Sequence, residues 1–423
     1  MQPSRRAAMT GTRPDQPGPM TRRGPRPLLL HLTLAASRAL INLPSLDYTS
    51  ASPTSKPDWQ NLPDWHHWIE IIRRAATDPA LASALASALT SALVSAASGP
   101  DQALIAGIAA YRRHEYQRTL TDPPEIWAEG ETRVLDYGGS GPVVLFVPSL
   151  VNRAYILDLD EPASFMRYLA AHGAHPLLLD WGWPGEVERQ FTLTDYIAGR
   201  LDRALAAIEG PVVLAGFCMG GLLALASAQR NPKRISGLAL LATPWDFHAD
   251  NPDGARRLAA SLAMMEPMLA ASDTLPIDAL QTLFAMLDPL GVSEKYRSFA
   301  DLDPNSARAQ RFVALEDWLN DGVPLAAPVA RETLGQWYGA NAPMRGQWRV
   351  AGLPVEPRQI PCPALIVAPS RDRLVPPDAA KPLAALIPRA TLITPQAGHI
   401  GMVAGMQAEK VLWQPFLQWL AAL

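Results

Sequence analysis

Cys218 lies where a predicted strand turns sharply into a predicted helix. The β-branched apolar run 212–215 precedes the sequence Gly-Phe-Cys-Met-Gly at 216–220, and an apolar helical pattern follows at 222–229. A Gly-x-Cys-x-Gly turn between a strand and a helix is typical of a nucleophile elbow, where small residues let the two elements approach and the central residue is strained. The new helix's N-terminus favours a thiolate over a thiol. The pattern therefore predicts covalent catalysis by Cys218. The alternative is a buried structural cysteine in a glycine-rich turn.

Two further residues are predicted to complete a catalytic triad. Among eight histidines, His399 lies in a glycine-flanked loop after the last predicted strand, where α/β-hydrolases place their histidine. Asp372 follows the preceding strand, so the chain order nucleophile, acid, histidine is met. His399 would take a proton from Cys218 or from an incoming hydroxyl, and Asp372 would fix the imidazole tautomer. The alternatives are a solvated His399 and an Asp372 that pairs with a neighbouring arginine. Asp180 is the other acid candidate, but it precedes the nucleophile.

The oxyanion formed during attack on a carbonyl needs N–H donors. The first is expected from Met219, at the start of the helix, and the second from the loop 148–152, through the amide of Leu150 or Val151. Cysteine suits acyl transfer from coenzyme A, because exchange between two thioesters is nearly isoenergetic, although hydrolysis stays open. The pattern predicts neither a metal site nor a cofactor.

The elements that must position these residues alternate in sequence. Short apolar runs and longer helical segments follow one another after residue 121, which favours a mainly parallel sheet. We predict an α/β-hydrolase fold whose sheet is flanked by helices, with a helical cap inserted between the sixth and seventh core strands. The predicted units are a disordered leader (1–27), a helical N-terminal region (28–120), a core in two parts (121–246 and 359–423) and the cap (247–358). The predicted strands are 133–137, 143–147, 176–180, 212–215, 236–242, 364–368 and 391–394, and the predicted helices are 65–76, 79–97, 101–120, 162–172, 193–208, 222–229, 377–386 and 407–420.

The composition excludes several classes of protein. Lys and Arg number 37 against 40 Asp and Glu, so no nucleic-acid partner is expected. With only two cysteines there is no disulfide framework, which favours a reducing cytoplasm. Cys362, between two prolines, is interpreted as a core residue. The most apolar segment, 27–43, is interrupted by His31 and Arg38, so no transmembrane segment is predicted.

Seven short motifs, in order from about residue 116 to the C-terminus, resemble the polyhydroxyalkanoate (poly-3-hydroxybutyrate) synthases, especially the short two-component type. The resemblance implies an acyltransferase that polymerises (R)-3-hydroxyacyl units from coenzyme A thioesters and releases coenzyme A. It implies that Cys218 is the acylated nucleophile, His399 the base and Asp372 the acid. It also implies a growing polyester, a second synthase subunit or a homodimer, and a cytoplasmic location at the surface of polymer granules. The motifs are NRAYILDL (152–159), LDWGWP (179–184), LTDYI (193–197), GFCMGG (216–221), TPWDFH (243–248), DRLVPPD (372–378) and GHIG (398–401).

The sequence departs from the family at two positions. Arg373 replaces the histidine that commonly follows the acid, and Ala397 replaces a glycine. Two alternatives stay open. One is a hydrolase, such as a thioesterase, a polymer depolymerase or a dienelactone-hydrolase-like enzyme, and the other is a non-catalytic granule-associated subunit. Outside the triad, we expect Trp181 and Trp183 to pack under the cap, and Asp246 to cap or pair where the cap begins.

Overall fold

A computed structural model describes residues 22–32, 101–287 and 291–423. Nearly all of the predicted leader and the predicted helices 65–76 and 79–97 lie outside the described residues. Within the predicted helical N-terminal region, residues 28–32 form a short helical segment and Asp101–Arg113 form helix α1. Helix α1 ends before the predicted residue 120.

An eight-stranded sheet forms the centre of the fold. Its order is β1-β2-β4-β3-β5-β6-β7-β8. The pairs β1 with β2 and β2 with β4 are antiparallel, and all other pairs are parallel. The predicted mainly parallel sheet is thus confirmed. The strands are Glu125–Glu129 (β1), Thr132–Asp136 (β2), Val143–Val147 (β3), His175–Asp180 (β4), Val212–Phe217 (β5), Ile235–Leu241 (β6), Ala364–Val367 (β7) and Ala390–Ile393 (β8).

Helices cover both faces of the sheet, because consecutive residues of the central strands are apolar and successive side chains point to opposite faces. Leu145 of β3 belongs to the core on one face, together with Leu222 of α4. Phe146 belongs to the core on the other face, where Phe165 of α2 and Phe416 of α14 pack. The helices of the core are Phe165–Ala171 (α2), Asp202–Ala206 (α3), Met219–Arg230 (α4), Pro377–Ala380 (α11), Pro382–Leu386 (α12), Gly401–Ala404 (α13) and Gln414–Leu420 (α14).

Some predicted helices are interrupted. The predicted helix 377–386 is two short helices, since Pro382 begins the second one and cannot continue the first. The predicted helices 193–208 and 407–420 each contain a π-helical segment, at Asp195–Leu201 and Glu409–Trp413. Short 3₁₀ segments lie at Ala154–Leu157, Glu161–Ala163, Glu188–Gln190 and Pro357–Gln359.

The predicted helical insertion lies between β6 and β7, the sixth and seventh strands of the sheet. The described residues of this insertion form six helices and a π-helical turn, Thr333–Gly339. It also contains two pairs of two-residue strands, Thr274–Leu275 with Leu325–Ala326 and Arg349–Val350 with Leu353–Pro354. These two pairs correct the expectation that the insertion contains no strand. A strand of two residues is too short to leave a recognisable pattern in the sequence. The helices are Pro252–Ala260 (α5), Leu262–Ser272 (α6), Ile277–Leu287 (α7), Gly291–Ala300 (α8), Ala307–Asn320 (α9) and Ala327–Glu332 (α10).

Helix α1 packs on this insertion rather than on the sheet. Leu104 and Tyr111 of α1 share a buried cluster with Tyr296 of α8 and Val313 of α9. The Tyr111 hydroxyl donates to Asp317 Oδ1 at 2.9 Å. Among the helices of the described part of the chain, none has both the length and the apolar character needed to cross a membrane.

Candidate active site

Cys218 has the strained backbone that a nucleophile elbow requires. It joins β5 to α4 with φ 56° and ψ −126°, and its N–H donates to Leu241 O at 2.8 Å. A Cβ at Gly216 would overlap the backbone of Gly221, and one at Gly220 would overlap the carbonyl oxygen of Val147. The glycines therefore allow the turn to fold against β3, and the half-buried Cys218 side chain is presented at the carboxyl end of the sheet.

Asp372 and His399 form a buried pair beside this turn. Nδ1 of His399 lies 2.6 Å from Oδ2 of Asp372, and the two side chains are 7% and 0% exposed. The other oxygen of Asp372 accepts the N–H groups of Leu374 and Val375, at 2.9 and 2.8 Å. With its oxygens held as acceptors, the carboxylate fixes the proton of His399 on Nδ1 and leaves Nε2 for a second partner.

Cys218 is the nucleophile candidate beside His399, since both side chains line the smaller cavity at the carboxyl end of the sheet. Burial lowers the pKa of His399, but the charge of Cys218, the hydrogen bond that the ring donates to Asp372, the proximity of the Cys218 thiol and the charge of Asp372 together raise it to about 10. Because the pKa of His399 is raised overall, the site favours a protonated imidazole between two acidic groups. The structure therefore places His399 in direct contact with Asp372 and on one cavity with Cys218.

The predicted oxyanion donors differ in what they contact. Met219 is the first residue of α4, and its N–H donates to no described residue. Val151 lines a cavity with Cys218, and its N–H lies 3.3 Å from Ser149 Oγ. Leu150 is buried in the core, 4% exposed. The N–H of Met219 is therefore open towards a carbonyl bound at Cys218, whereas the N–H of Val151 already has an acceptor in Ser149.

The competing acid and histidines have other partners. Asp180 pairs with Arg133 at 3.0 Å and accepts the N–H of Gly182 at 3.1 Å, so it stabilises the edge of the sheet. The remaining described histidines contact carbonyl oxygens or an aspartate away from Cys218; they are His31 with Arg26, His114 with Pro304, His172 with Tyr168, His175 with Asp136, and His248 with Tyr338.

Four other residues singled out by the sequence contact neighbouring residues away from the Asp372–His399 pair. Trp181 is buried and donates from Nε1 to Pro148 O at 3.0 Å, which holds the start of the loop 148–152. The prediction for Trp183 is wrong, since it is 42% exposed and its ring lies 5.5 Å from the guanidinium of Arg153. Asp246 accepts a hydrogen bond from Nδ2 of Asn341 at 2.8 Å, which confirms its predicted pairing where the cap begins. Cys362 is buried in the core, as predicted.

Two cavities meet at Cys218. The larger, of about 110 Å³, is almost entirely apolar. The smaller, of about 40 Å³, also contacts His399. The sequence analysis did not identify the residues of the insertion that close the larger cavity. The segment 258–338 is rich in apolar and aromatic residues throughout, so its sequence does not distinguish those that line the cavity from those that do not. These residues are Leu258, Leu275, Leu280, Leu283, Phe284, Leu325, Ala330, Thr333, Leu334, Trp337 and Tyr338.

Comparisons with known proteins agree with this geometry. The alpha/beta hydrolase fold family model matches residues 142–405, a range that contains Cys218, Asp372 and His399. The poly(3-hydroxyalkanoate) polymerase subunit PhaC of Allochromatium vinosum is 30% identical over 66% of this chain and 80% of its own length. The chain belongs to the poly(3-hydroxyalkanoate) polymerase family. The PhaC subunit of Synechocystis is also 30% identical, over 66% of this chain and 77% of its own length. Among solved structures, the thioesterase domain from the curacin biosynthetic pathway is 17% identical with a TM-score of 0.47, over 70% of this chain and 100% of that domain.

This membership confirms the family resemblance of the seven motifs. The described residues of this chain contain no group of three or more His, Cys, Asp or Glu side chains that could hold a metal ion.

Proposed function

We propose that this protein polymerises (R)-3-hydroxyacyl groups from coenzyme A thioesters through a thioester on Cys218. The observation that carries the proposal is the buried Asp372–His399 pair, 2.6 Å apart, whose imidazole lines the same cavity as Cys218, in a chain similar to polymerase subunits over most of their length.

The first step transfers the acyl group to the enzyme. His399 takes the proton of Cys218, and the thiolate attacks the thioester carbonyl while the N–H groups of Met219 and Val151 face the oxyanion. The carbon–sulfur bond to coenzyme A breaks, and the leaving thiolate takes the proton from His399. The products are free coenzyme A and an acyl thioester on Cys218.

The second step extends the chain. The hydroxyl of a second 3-hydroxyacyl group gives its proton to Nε2 of His399 and attacks the thioester on Cys218. An ester bond forms, the carbon–sulfur bond breaks, and the proton returns to the cysteine sulfur. Asp372 keeps the imidazole oriented and balances its positive charge during both steps.

The cap has a defined part in this reaction. We propose that residues 247–358 form a cap domain that keeps water away from the thioester, which would otherwise be hydrolysed. The support is the larger cavity, whose wall of leucines, phenylalanines and tryptophan comes mainly from that segment. A site closed by apolar side chains favours transfer to a bound hydroxyl over transfer to water.

The proposal includes a partner and a location. The relatives' names describe a polymerase subunit, so we propose that this chain acts with a second synthase subunit or as a homodimer. We also propose that it acts in the cytoplasm at the surface of polymer granules. Size measurement of the full chain, with and without a co-expressed candidate subunit, tests the first of these statements.

The test of the activity uses (R)-3-hydroxybutyryl-coenzyme A and the full chain, with and without a candidate second subunit. We expect loss of thioester absorbance together with chloroform-soluble polymer. Coenzyme A release without polymer would instead indicate a hydrolase. Binding to polymer without coenzyme A release would indicate a non-catalytic subunit.

A further inference from the structure

A tyrosine of the cap faces the cavity in front of Cys218. Tyr338 lies in the π-helical turn Thr333–Gly339 and lines the same cavity as Cys218. Its hydroxyl makes no hydrogen bond to any residue in the described part of the chain. Burial, and then the charge of the nearby Cys218, raise the pKa of Tyr338 to about 12. At neutral pH the hydroxyl is therefore protonated, and it can both donate and accept a hydrogen bond.

The other hydroxyls of this cavity are already used by the protein. Thr333 Oγ1 donates to the carbonyl of Val329 at 2.9 Å. Ser149 Oγ accepts the N–H of Val151 at 3.3 Å, on the strand side of the cavity. The remaining wall is mostly apolar. On the cap side, Nε1 of Trp337 is also without a partner, but an indole N–H can only donate, whereas the Tyr338 hydroxyl can donate and accept. A few placed polar groups in an apolar pocket are what fix a ligand's orientation.

The position of Tyr338 is set by the segment 243–248, a family motif that holds none of the three proposed catalytic residues. The ring of Phe247 packs edge-on against Tyr338, with centroids 4.9 Å apart. His248 Nε2 donates to the carbonyl oxygen of Tyr338 at 2.7 Å. Asn341 ties the turn to the same segment, since its Oδ1 accepts the N–H of Phe247 at 3.0 Å. π-helical turns are frequent at functional sites, and this one is held at its C-terminal end by Phe247 and His248.

The size of the cavity limits where an acyl group can lie. At about 110 Å³ it is smaller than an apolar cavity of about 150 Å³, which holds a benzene molecule. A short acyl group attached to Cys218 therefore reaches the cap wall. A 3-hydroxyacyl group differs from the unsubstituted chain by one hydroxyl, and the cap wall offers Tyr338 as its partner.

We infer that the Tyr338 hydroxyl binds the 3-hydroxyl of the acyl group on Cys218 and makes the enzyme prefer 3-hydroxyacyl thioesters to unsubstituted ones. This inference rests on the proposed function. An unsubstituted chain would leave the tyrosine hydroxyl unpaired inside an apolar cavity. Sites that hydrogen-bond a substrate hydroxyl reject the analogue that lacks it more strongly than apolar pockets reject a missing methylene.

The experiment compares wild type and Tyr338→Phe with two thioesters, (R)-3-hydroxybutyryl-coenzyme A and butyryl-coenzyme A. Rapid-quench measurement of the first coenzyme A released gives the rate of Cys218 acylation. We expect wild type to prefer the hydroxylated thioester, and Tyr338→Phe to reduce this preference by about tenfold or more. The loss should fall on the hydroxylated thioester, because phenylalanine keeps the packing against Phe247.

The controls separate binding of the 3-hydroxyl from other effects. Tyr196→Phe changes a buried core tyrosine outside the cavity and should leave the preference unchanged. Equal losses with both thioesters would overturn the inference, since they would indicate a role at the carbonyl or in folding. An unchanged preference in Tyr338→Phe, or no preference in wild type, would also overturn it. If wild type is acylated by neither thioester, the proposed function itself is contradicted.

Discussion

The floor and the roof of the larger cavity are built in different ways. The floor consists of loops at the carboxyl ends of parallel strands, and its side chains are tied by short hydrogen bonds such as the 2.6 Å contact of His399 with Asp372. The roof consists of cap helices and a π-helical turn whose side chains are mostly apolar. Strand ends in a packed sheet hold reacting groups in fixed positions, whereas the proposed role of a roof of leucines and aromatics is to exclude water and shape the acyl group.

The difference predicts that floor variants lose the reaction and roof variants change its substrate. The largest loss is expected for Cys218→Ala, which removes the nucleophile. We expect coenzyme A release to fall by at least about 10³-fold, measured as loss of thioester absorbance. Cys362→Ala is the matched control, because Cys362 is buried in the core and outside both cavities. Comparable losses in the two variants would contradict the assignment of Cys218.

Asp372→Asn should have the next largest effect. The amide can no longer hold His399 in the reactive tautomer or balance its charge, so we expect kcat to fall by about 100-fold or more. KM should change little, because Asp372 lies behind the histidine. Steady-state kinetics with (R)-3-hydroxybutyryl-coenzyme A measures both values. An unchanged kcat would remove Asp372 from the proposed triad.

The same pair makes the stability of the floor depend on pH. Because the pKa of His399 rises from 6.5 to about 10 on folding, the folded state favours the protonated ring. This contribution to the free energy of unfolding is fully present below pH 6.5 and is lost as pH rises towards 10. In His399→Gln the side chain cannot be protonated. Thermal unfolding from pH 6 to pH 10 should therefore show that the difference in melting temperature between wild type and His399→Gln becomes smaller as the pH rises. A difference that grows with pH would contradict this prediction.

A roof variant should act on selectivity. Phe284 lines both cavities, and Phe284→Ala enlarges the space beside Cys218. We expect kcat/KM for longer 3-hydroxyacyl thioesters to rise relative to 3-hydroxybutyryl-coenzyme A by up to about tenfold. Met264→Ala, at a cap residue that is 51% exposed, is the control and should leave this ratio unchanged. A loss of activity with all chain lengths would place Phe284 among the residues of the reaction itself.

The smallest effect is expected at Asp180, the acid outside the triad. Its carboxylate pairs with Arg133 and caps Gly182, so Asp180→Asn should reduce the free energy of unfolding by about 1 kcal/mol. Coenzyme A release should stay within about twofold of wild type, given the modest stability cost. Urea unfolding and thioester consumption measure the two quantities. A large fall in activity would make Asp180 a competitor of Asp372.

The floor could be predicted from the sequence because each of its parts is local. The strand, the glycines and Cys218 are consecutive, and Asp372 and His399 each follow an apolar run that ends in a turn. The edge strand Glu125–Glu129 is absent from the predicted strands because its residues are mostly exposed, so no apolar run or clear alternation marks it. Among the described strands it pairs with β2 alone.

The roof could not be predicted to the same degree. That an insertion exists was evident from the missing strand pattern. The residues that reach Cys218 depend on contacts between distant segments, such as those of Phe247 with Tyr338 and Asn341. The prediction for Trp183 failed for a similar reason, since its packing against Arg153 depends on the path of two loops.

The mass of the peptide that contains Cys218 provides the most direct test of the central claim. Wild type mixed with (R)-3-hydroxybutyryl-coenzyme A, quenched in acid and digested, should carry one or more 3-hydroxybutyryl units on Cys218 and none on Cys362. Polymer formation with the acyl group on another residue, or with Cys218 unmodified at every time point, would contradict it.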